Sequence, residues 1–320
     1  MSRNPPAAPK SPETPAAPDW AAAKERSNAF AMRLMAWIAV NLGRRVARWV
    51  LHPITLYFLV FSPASRRQSA RYLSRALGRP VRLADSYRHF HAFASTVLDR
   101  VYFVLGKLDA FDLRLSGNEE VDATTAEGRG LMLLGAHLGS FEVLHAAGVN
   151  RHLKVAMVMY PNNARTIHGV LQAIAPDFEL GIIPIGSRGS TLAIRDWLDD
   201  GGLVGLLGDR FLPSESARTC EHQLPFLGRP ALFSDGPLRL AMLLKRHVMF
   251  MSGLYRGGNR YDVHFESLAD FRHPPADAAA REAAVFAALQ AYVARLEALC
   301  REAPYNWFNF HDFWHEDLQT

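Results

Sequence analysis

Two patterns of apolar positions divide this chain at about residue 108. Before that point apolar residues recur every three or four positions, which predicts amphipathic helices. Beyond it, short apolar runs alternate with helical stretches, which predicts an α/β fold whose mixed, largely parallel sheet is flanked by helices. The runs are Leu131–Leu134, Val155–Tyr160, Ile182–Ile185, Leu203–Leu207 and Val248–Leu254, the last with a hairpin partner at Tyr261–Phe265. The predicted helices are 140–150, 164–175, 190–200, 235–246 and the long amphipathic 276–302.

Composition suggests three regions along the chain. Residues 1–25 begin with a stretch rich in Pro, Ala and Ser and are predicted to be a disordered tail. They do not resemble a secretory signal, because no apolar segment follows a basic one within the first thirty residues. Residues 26–107 form a basic helical region, and residues 108–320 form an α/β domain that makes one continuous fold with those helices.

The basic region contains two strongly apolar runs, Leu34–Leu42 and Trp49–Phe61. Arginines separate them, Pro53 is expected to break the second, and neither reaches the roughly 20 residues that a membrane-spanning helix needs. Helices that lie in the membrane interface fit this pattern, with aromatic side chains at the depth of the lipid headgroups. The alternative is a pair of core helices in a soluble domain.

The net charge of +5 hides two regions of opposite sign. Residues 26–107 have a net charge of +12 and residues 108–320 one of −7, while residues 1–25 balance. A basic third with almost no compensating acids favours contact with an anionic membrane surface. Nucleic acid is not predicted as a partner, since no helix-turn-helix, zinc-finger or RNP-like segment is found. The two cysteines, Cys220 and Cys300, form no disulfide framework or zinc signature and favour a reducing, cytoplasmic environment.

One motif carries recognisable chemistry, the segment Gly135–Glu142 with sequence GAHLGSFE. It follows an apolar strand and leads into a helix, and the carboxyl ends of strands in open α/β sheets are where ligands bind. His137 is the candidate general base, and Glu142 is expected to hydrogen-bond its other ring nitrogen. No nucleophile accompanies the pair, so the attacking group would belong to the substrate. The alternative is a hydrogen-bonded core histidine beside a capping glutamate.

Other catalytic motifs are not found in the sequence. There is no G-x-S-x-G elbow, no G-x-G-x-x-G after a strand, no Walker P-loop and no H-E-x-x-H. His311 and His315 are four residues apart and could hold a metal on a helix, although no third ligand is evident and a structural role is favoured.

The GAHLGSFE segment resembles the H-x4-D/E block of the lysophospholipid acyltransferase superfamily, in the branch of the bacterial lipid A late acyltransferases. Further blocks are similar in order and spacing, so that the resemblance covers about residues 30–315. These blocks are Tyr160–Arg165, Gly186–Arg188, Val204–Arg210 and Pro225–Ala231. Ser140–Phe141 replaces the usual Asn-Trp before the acid, and residues 304–314 differ from the usual ending. Both features resemble predicted acyltransferases that accompany aryl-polyene or xanthomonadin-type lipids.

The resemblance implies an O-acyltransferase on the cytoplasmic face of the bacterial inner membrane, monotopic or peripheral. It would transfer a fatty acyl group from acyl carrier protein, or from acyl-CoA, to a hydroxyl of a membrane lipid or glycolipid. No metal or organic cofactor is needed for direct attack with His137 as base. Arginines near strand ends are candidates for holding an anionic acceptor. The predicted substrate-binding residues are the arginines Arg165, Arg188, Arg210 and Arg229, together with Asp209 beside Arg210.

Two other functions are compatible with the same residues. A lipid esterase or thioesterase would use His137 and Glu142 to activate water instead of an acceptor hydroxyl. A non-catalytic protein would bind anionic lipid through the basic region, and the histidine motif would then be structural.

Overall fold

The computed structural model describes residues 37–143, 148, 153–159, 181–185, 189–210 and 221–315. The predicted tail 1–25 and the predicted helix 164–175 lie outside these residues, as does most of 140–150. The basic region folds into helices α1 (Gly43–Phe61), α2 (Pro63–Leu77) and α3 (Leu83–Val104), preceded by helical residues 37–41. The predicted helical character of this region is therefore confirmed wherever the structure describes it.

Pro53 lies inside α1, and the expectation that it breaks this run is wrong. Proline removes one backbone donor and clashes with the preceding turn, which is most costly where the freed carbonyl is buried. In α1 the residue faces outward, with His52 and Pro53 both exposed. Residues Ala47, Leu51, Thr55 and Leu59 form the buried face on the other side of the helix. The helix continues because its packing face does not include the proline.

The α/β part follows after a short 3₁₀ turn at Leu108–Ala110. Its strands are β1 (Asp112–Ser116), β2 (Leu131–Gly135), β3 (Val155–Met159), β4 (Gly181–Pro184), β5 (Leu203–Leu207), β6 (Glu221–Phe226), β7 (Arg229–Ser234), β8 (His247–Tyr255) and β9 (Arg260–Asp270). Its helices are α4 (Asn118–Ala126), α5 (Ser190–Asp199), α6 (Gly236–Leu243) and α7 (Ala278–Glu302).

Seven of these strands form one sheet in the order β1-β9-β8-β2-β5-β3-β4. All neighbouring strands run parallel except β8 and β9, which form the predicted antiparallel hairpin. The central strands β2 and β8 are buried along their whole length, as nearly continuous apolar runs require. The fold class predicted from the sequence is confirmed.

Two features of the sheet region were not predicted. The edge strand β1 has the sequence DLRLS, which is mostly exposed and has no apolar run to mark it. The hairpin of β6 and β7 forms a separate two-stranded sheet and also carries prolines, which pair with each other as Pro225 and Pro230. Both depend on pairing with a neighbour and not on a strong local pattern.

The core has two parts, one on each side of the large sheet. One contains Trp307, Phe226 and residues of α7 such as Tyr292. The other joins α1 and α3 to the sheet through residues such as Leu51, Phe103 and Tyr261. An ion pair reinforces this second contact, because Arg44 of α1 donates two hydrogen bonds of 2.7 Å to the buried Asp99 of α3. The basic helices and the sheet thus share a core.

Among the described helices, α7 has the length and apolar composition that a membrane span would require. Much of its apolar surface packs inside the fold, including the buried Val285, Leu289, Tyr292 and Leu296. These contacts account for its composition as a core helix.

Candidate active site

The register of two central strands brings His137 and Asp209 together. Strands β2 and β5 are parallel neighbours, and their last paired residues are Gly135 and Leu207. His137 and Asp209 each follow their strand by two residues, so both lie at the same carboxyl edge of the sheet. This edge is where open α/β sheets place their ligands.

Asp209 fixes the orientation of His137. Its Oδ1 lies 2.8 Å from Nδ1 of the His137 ring, and the backbone N–H of His137 is 3.1 Å from each carboxylate oxygen. With Nδ1–H donating to the carboxylate, Nε2 keeps its lone pair and can accept a proton. The Asp209 side chain is only 1% exposed, whereas that of His137 is 31% exposed. The acid is therefore buried behind the histidine, and the ring remains accessible.

The C-terminal segment completes this arrangement. Trp307 donates from Nε1 to Oδ2 of Asp209 at 2.9 Å, and its backbone forms a bridge with Leu138. The Phe308 N–H donates to the carbonyl oxygen of His137 at 2.8 Å. Sequence reasoning assigned no role to Trp307, because nothing local connects it to an aspartate 98 residues away.

A glycine turn directs the chain from β2 toward the following helix. Gly139 has φ of +70°, and a Cβ at this position would lie 2.0 Å from the carbonyl oxygen of Gly253. The close approach lets the Gly139 N–H donate to Asn306 and the Ser140 N–H donate to Gly253, both at 2.8 Å. The backbone donors of this turn are therefore engaged within the protein, so an oxyanion needs a donor from elsewhere.

Electrostatics keep His137 neutral near pH 7. Burial lowers the pKa of His137 below its usual value, the positive charge of Arg210 lowers it further, and Asp209 only partly offsets both. Burial alone would raise the pKa of Asp209, but His137, Arg210 and Trp307 hold it well below its ordinary range. An ionised aspartate behind a neutral imidazole is the protonation state that general-base catalysis requires.

Arg210 is the cation nearest in sequence to this pair. It donates from one Nη to the carbonyl oxygen of Phe308 at 3.0 Å, and its buried Nε has no partner among the described residues. Burial lowers the pKa of Arg210, and Asp209 counteracts this effect. The positive charge of a guanidinium beside the base can stabilise an anion that forms there.

Glu142 is placed differently from the sequence expectation. Its carboxylate forms a 2.7 Å ion pair with Arg100 of α3 and accepts a hydrogen bond of 3.1 Å from Ser140 Oγ. Glu142 was expected to hydrogen-bond a ring nitrogen of His137 and so to orient the ring. Asp209 already forms this hydrogen bond at Nδ1. The reason is topological, since the strand register fixes Asp209 behind the ring whereas Glu142 lies on the helix that begins at Phe141. Glu142 instead ties the basic helices to the start of that helix.

The remaining predicted site residues are distributed as follows. Arg165 and Arg188 lie outside the described residues. Arg229 begins β7 in the separate two-stranded sheet, where its side chain is exposed and makes no described contact with His137 or Asp209. Asp209 and Arg210 are therefore the two predicted substrate-binding residues that the structure places beside the base.

His311 and His315 do not lie on a helix. The described residues 309–315 form bends and turns, which removes the spacing argument for a metal site on one helical face. Within the described parts of the chain, no group of three or more His, Cys, Asp or Glu side chains is arranged to hold a metal ion. The charges of the site act on His311. Burial, the larger cause, and the positive charge of Arg210 together lower the pKa of His311 to about 3.

A neutral histidine with a buried aspartate behind it, at the carboxyl edge of a largely parallel sheet, is suited to an enzyme that transfers a group directly to a second substrate. The family model for bacterial lipid A biosynthesis acyltransferases matches residues 24–316. The chain belongs to this family and is an acyltransferase, which confirms the resemblance seen in the sequence. No curated protein matches the chain.

Proposed function

We propose that this enzyme transfers a fatty acyl group from a thioester donor to a hydroxyl of a membrane lipid or glycolipid, with His137 as the general base. The observation that carries the proposal is the hydrogen bond between His137 Nδ1 and Asp209, which leaves Nε2 available on the accessible side of the ring. Membership of the lipid A acyltransferase family supports the reaction class.

The reaction proceeds by direct attack. The acceptor O–H gives its proton to Nε2 of His137 while its oxygen bonds to the thioester carbonyl carbon. Collapse of the tetrahedral intermediate breaks the C–S bond, and the imidazolium returns the proton to the departing thiolate. Asp209 stabilises the imidazolium formed between these steps, because its carboxylate lies 2.8 Å from Nδ1.

Arg210 provides the charge that the tetrahedral oxyanion needs. The backbone donors of His137, Gly139 and Ser140 are already used by Asp209, Asn306 and Gly253. Arg210 lies close enough to the base for its positive charge to lower the pKa of His137, so the same charge acts where the oxyanion forms. Losing one donor to an oxyanion costs roughly 10²–10³ in kcat.

The donor is proposed to be acyl carrier protein, with acyl-CoA as the chemically equivalent thioester. The acceptor lipid is reached from the cytoplasmic face of the inner membrane, where the enzyme lies as a peripheral or monotopic protein. The support is the outer face of α1 and the residues before it. Large apolar side chains are exposed there, namely Trp37, Val40, Leu42, Val46, Trp49, Leu56, Tyr57, Val60 and Phe61. Such a contiguous patch is typical of a membrane or protein contact.

Purified wild-type enzyme, His137→Ala and the control His273→Ala would each be incubated with bacterial lipid extract and with acyl carrier protein that carries a radiolabelled fatty acyl group. His273 is an exposed histidine in the loop after β9. We expect acylated lipid with wild type and control, and a loss of at least 10²-fold for His137→Ala. Full activity of a folded His137→Ala protein would overturn the assignment of the base. Free fatty acid without acylated lipid would identify a hydrolase.

A further inference from the structure

A groove of about 490 Å³ lies between the ends of the helices in the basic region, and it shares no residue with the candidate active site. Its lining includes Arg66, Arg67, Arg82 and Leu83. We infer that this groove binds the phosphate headgroup of an anionic membrane lipid, through the guanidinium groups of Arg66, Arg67 and Arg82.

The groove carries positive charge that none of the residues described by the structure neutralises. Three exposed arginines line it, and none of the described residues that line it is acidic. The nearest carboxylate in sequence, Asp85, is paired with Arg79 through two hydrogen bonds of 2.8 and 2.9 Å. The described structure gives Arg67 and Arg82 no side-chain ion pair. Guanidinium groups present two parallel donors to phosphate oxygens, which suits them to this ligand.

Apolar side chains flank the same groove and favour a lipid over a soluble anion. Leu83, at the start of α3, is 69% exposed, and Phe61, at the end of α1, is 60% exposed. Arg66 links the groove to the end of α1, because its guanidinium donates to the carbonyl oxygen of Leu59 in the last turn of that helix at 3.1 Å. A phosphate in the groove would therefore have apolar side chains beside it at the depth of the acyl chains.

The same geometry argues against acyl carrier protein as the occupant. A soluble acidic protein would satisfy the arginines but would leave the exposed Leu83 facing water or charged surface. A lipid satisfies both features at once. The site also continues the exposed face of α1, so one membrane surface can contact both. This inference requires the proposed membrane position but not the proposed acyl-transfer chemistry.

The test uses dihexanoyl phosphatidylglycerol as a monomeric ligand, added to the full-length protein in a thermal-shift titration. The double variant Arg67→Gln/Arg82→Gln is compared with Arg114→Gln/Arg129→Gln, which removes two exposed arginines elsewhere. Arg71 is left unchanged, because it contacts Asp312. We expect saturable stabilisation of wild type and control, and at least a tenfold weaker apparent affinity in the groove variant.

Comparisons with other ligands and variants decide the outcome. Dihexanoyl phosphatidylcholine and inorganic phosphate should each bind at least tenfold more weakly than the phosphatidylglycerol. Equal affinity for inorganic phosphate would overturn the inference, because the groove would then bind anions in general. An equal loss of lipid affinity in both double variants would also overturn it, because the effect would then come from net charge and not from the groove. Loss of acyl carrier protein binding with unchanged lipid binding in the groove variant would overturn the inference. His137→Ala should retain the lipid affinity, so failure of the catalytic proposal would be seen separately.

Discussion

His137 and Asp209 each lie two residues beyond paired strand ends, and their side chains meet at 2.8 Å with the carboxylate buried behind the ring. The pair is 72 residues apart in sequence. Trp307 approaches the same carboxylate from the C-terminal segment, so three distant parts of the chain determine the tautomer of one histidine.

Asp209→Asn should preserve the packing but remove the charge that stabilises the imidazolium. We expect kcat to fall by roughly 10³–10⁴-fold, as expected for a base that loses its orienting carboxylate. The measurement is steady-state acyl transfer, with circular dichroism to confirm folding. A loss of less than tenfold would show that Asp209 does not act through His137.

The pH profile should identify the base independently. Activity requires neutral His137, so kcat/KM should rise with pH and level off above the lowered pKa of this histidine. Arg210 lowers that pKa and Asp209 raises it. The acid limb should therefore move to higher pH in Arg210→Gln and to lower pH in Asp209→Asn. Shifts in the same direction in both variants would contradict the assignment.

Arg100 and Glu142 should act as a unit. Their 2.7 Å ion pair joins α3 to the helix after the active-site turn, and each is partly buried. We expect Arg100→Gln, Glu142→Gln and the double variant to show losses of activity that are not additive. A coupling free energy of about 0.5–3 kcal/mol in a double-mutant cycle would support contact. Additive effects would show that Glu142 acts without Arg100.

Gly139→Ala should disrupt the active-site turn. The added Cβ would lie 2.0 Å from a backbone carbonyl oxygen, in addition to the cost of a positive φ. Gly78→Ala is the matched control, since Gly78 has φ of +63° and open space at the Cβ position. The control should lose about 1–2 kcal/mol of unfolding free energy in urea titrations. Gly139→Ala should lose clearly more, and equal losses would show that the turn can open.

Buried His89 should make the stability of the protein depend on pH. Burial lowers its pKa to about 4, and the ring bonds Ser69 and the carbonyl oxygen of Trp307, both at 2.9 Å. Between pH 6.5 and 4 the unfolded chain binds more protons at this residue, so unfolding free energy falls as pH falls. The contribution approaches about 1.4 kcal/mol per pH unit.

The variant that isolates this effect is His89→Gln, compared with His264→Gln at a partly exposed site. Urea unfolding at several pH values between 4.5 and 7 should show a shallower slope for His89→Gln. The comparison with His264→Gln separates this effect from the general consequence of replacing a histidine. An unchanged slope in His89→Gln would mean that His89 binds protons equally in the folded and unfolded protein, so that burial does not lower its pKa.

Several parts of the fold could be predicted because their signal is local. The apolar runs of β2, β5 and β8 and the periodicity of α2, α3 and α7 can be identified in short windows of sequence. Strand β1 and the β6–β7 hairpin could not, since DLRLS and a proline-containing ribbon become strands only through their partners. Pro53 shows the converse, because packing of the opposite face keeps α1 helical.

The sequence by itself determined the apolar strands β2, β5 and β8, the helices α2, α3 and α7, the basic character of residues 26–107 and the position of His137 after a buried strand. These follow from local periodicity, composition and one short motif. Only the tertiary structure decided which acid binds His137. Glu142 is close in sequence but lies on a helix paired with Arg100, whereas the parallel register of β2 and β5 places Asp209 against the ring. Hydrogen bonds depend on distance in space, and sheet register sets that distance independently of separation along the chain.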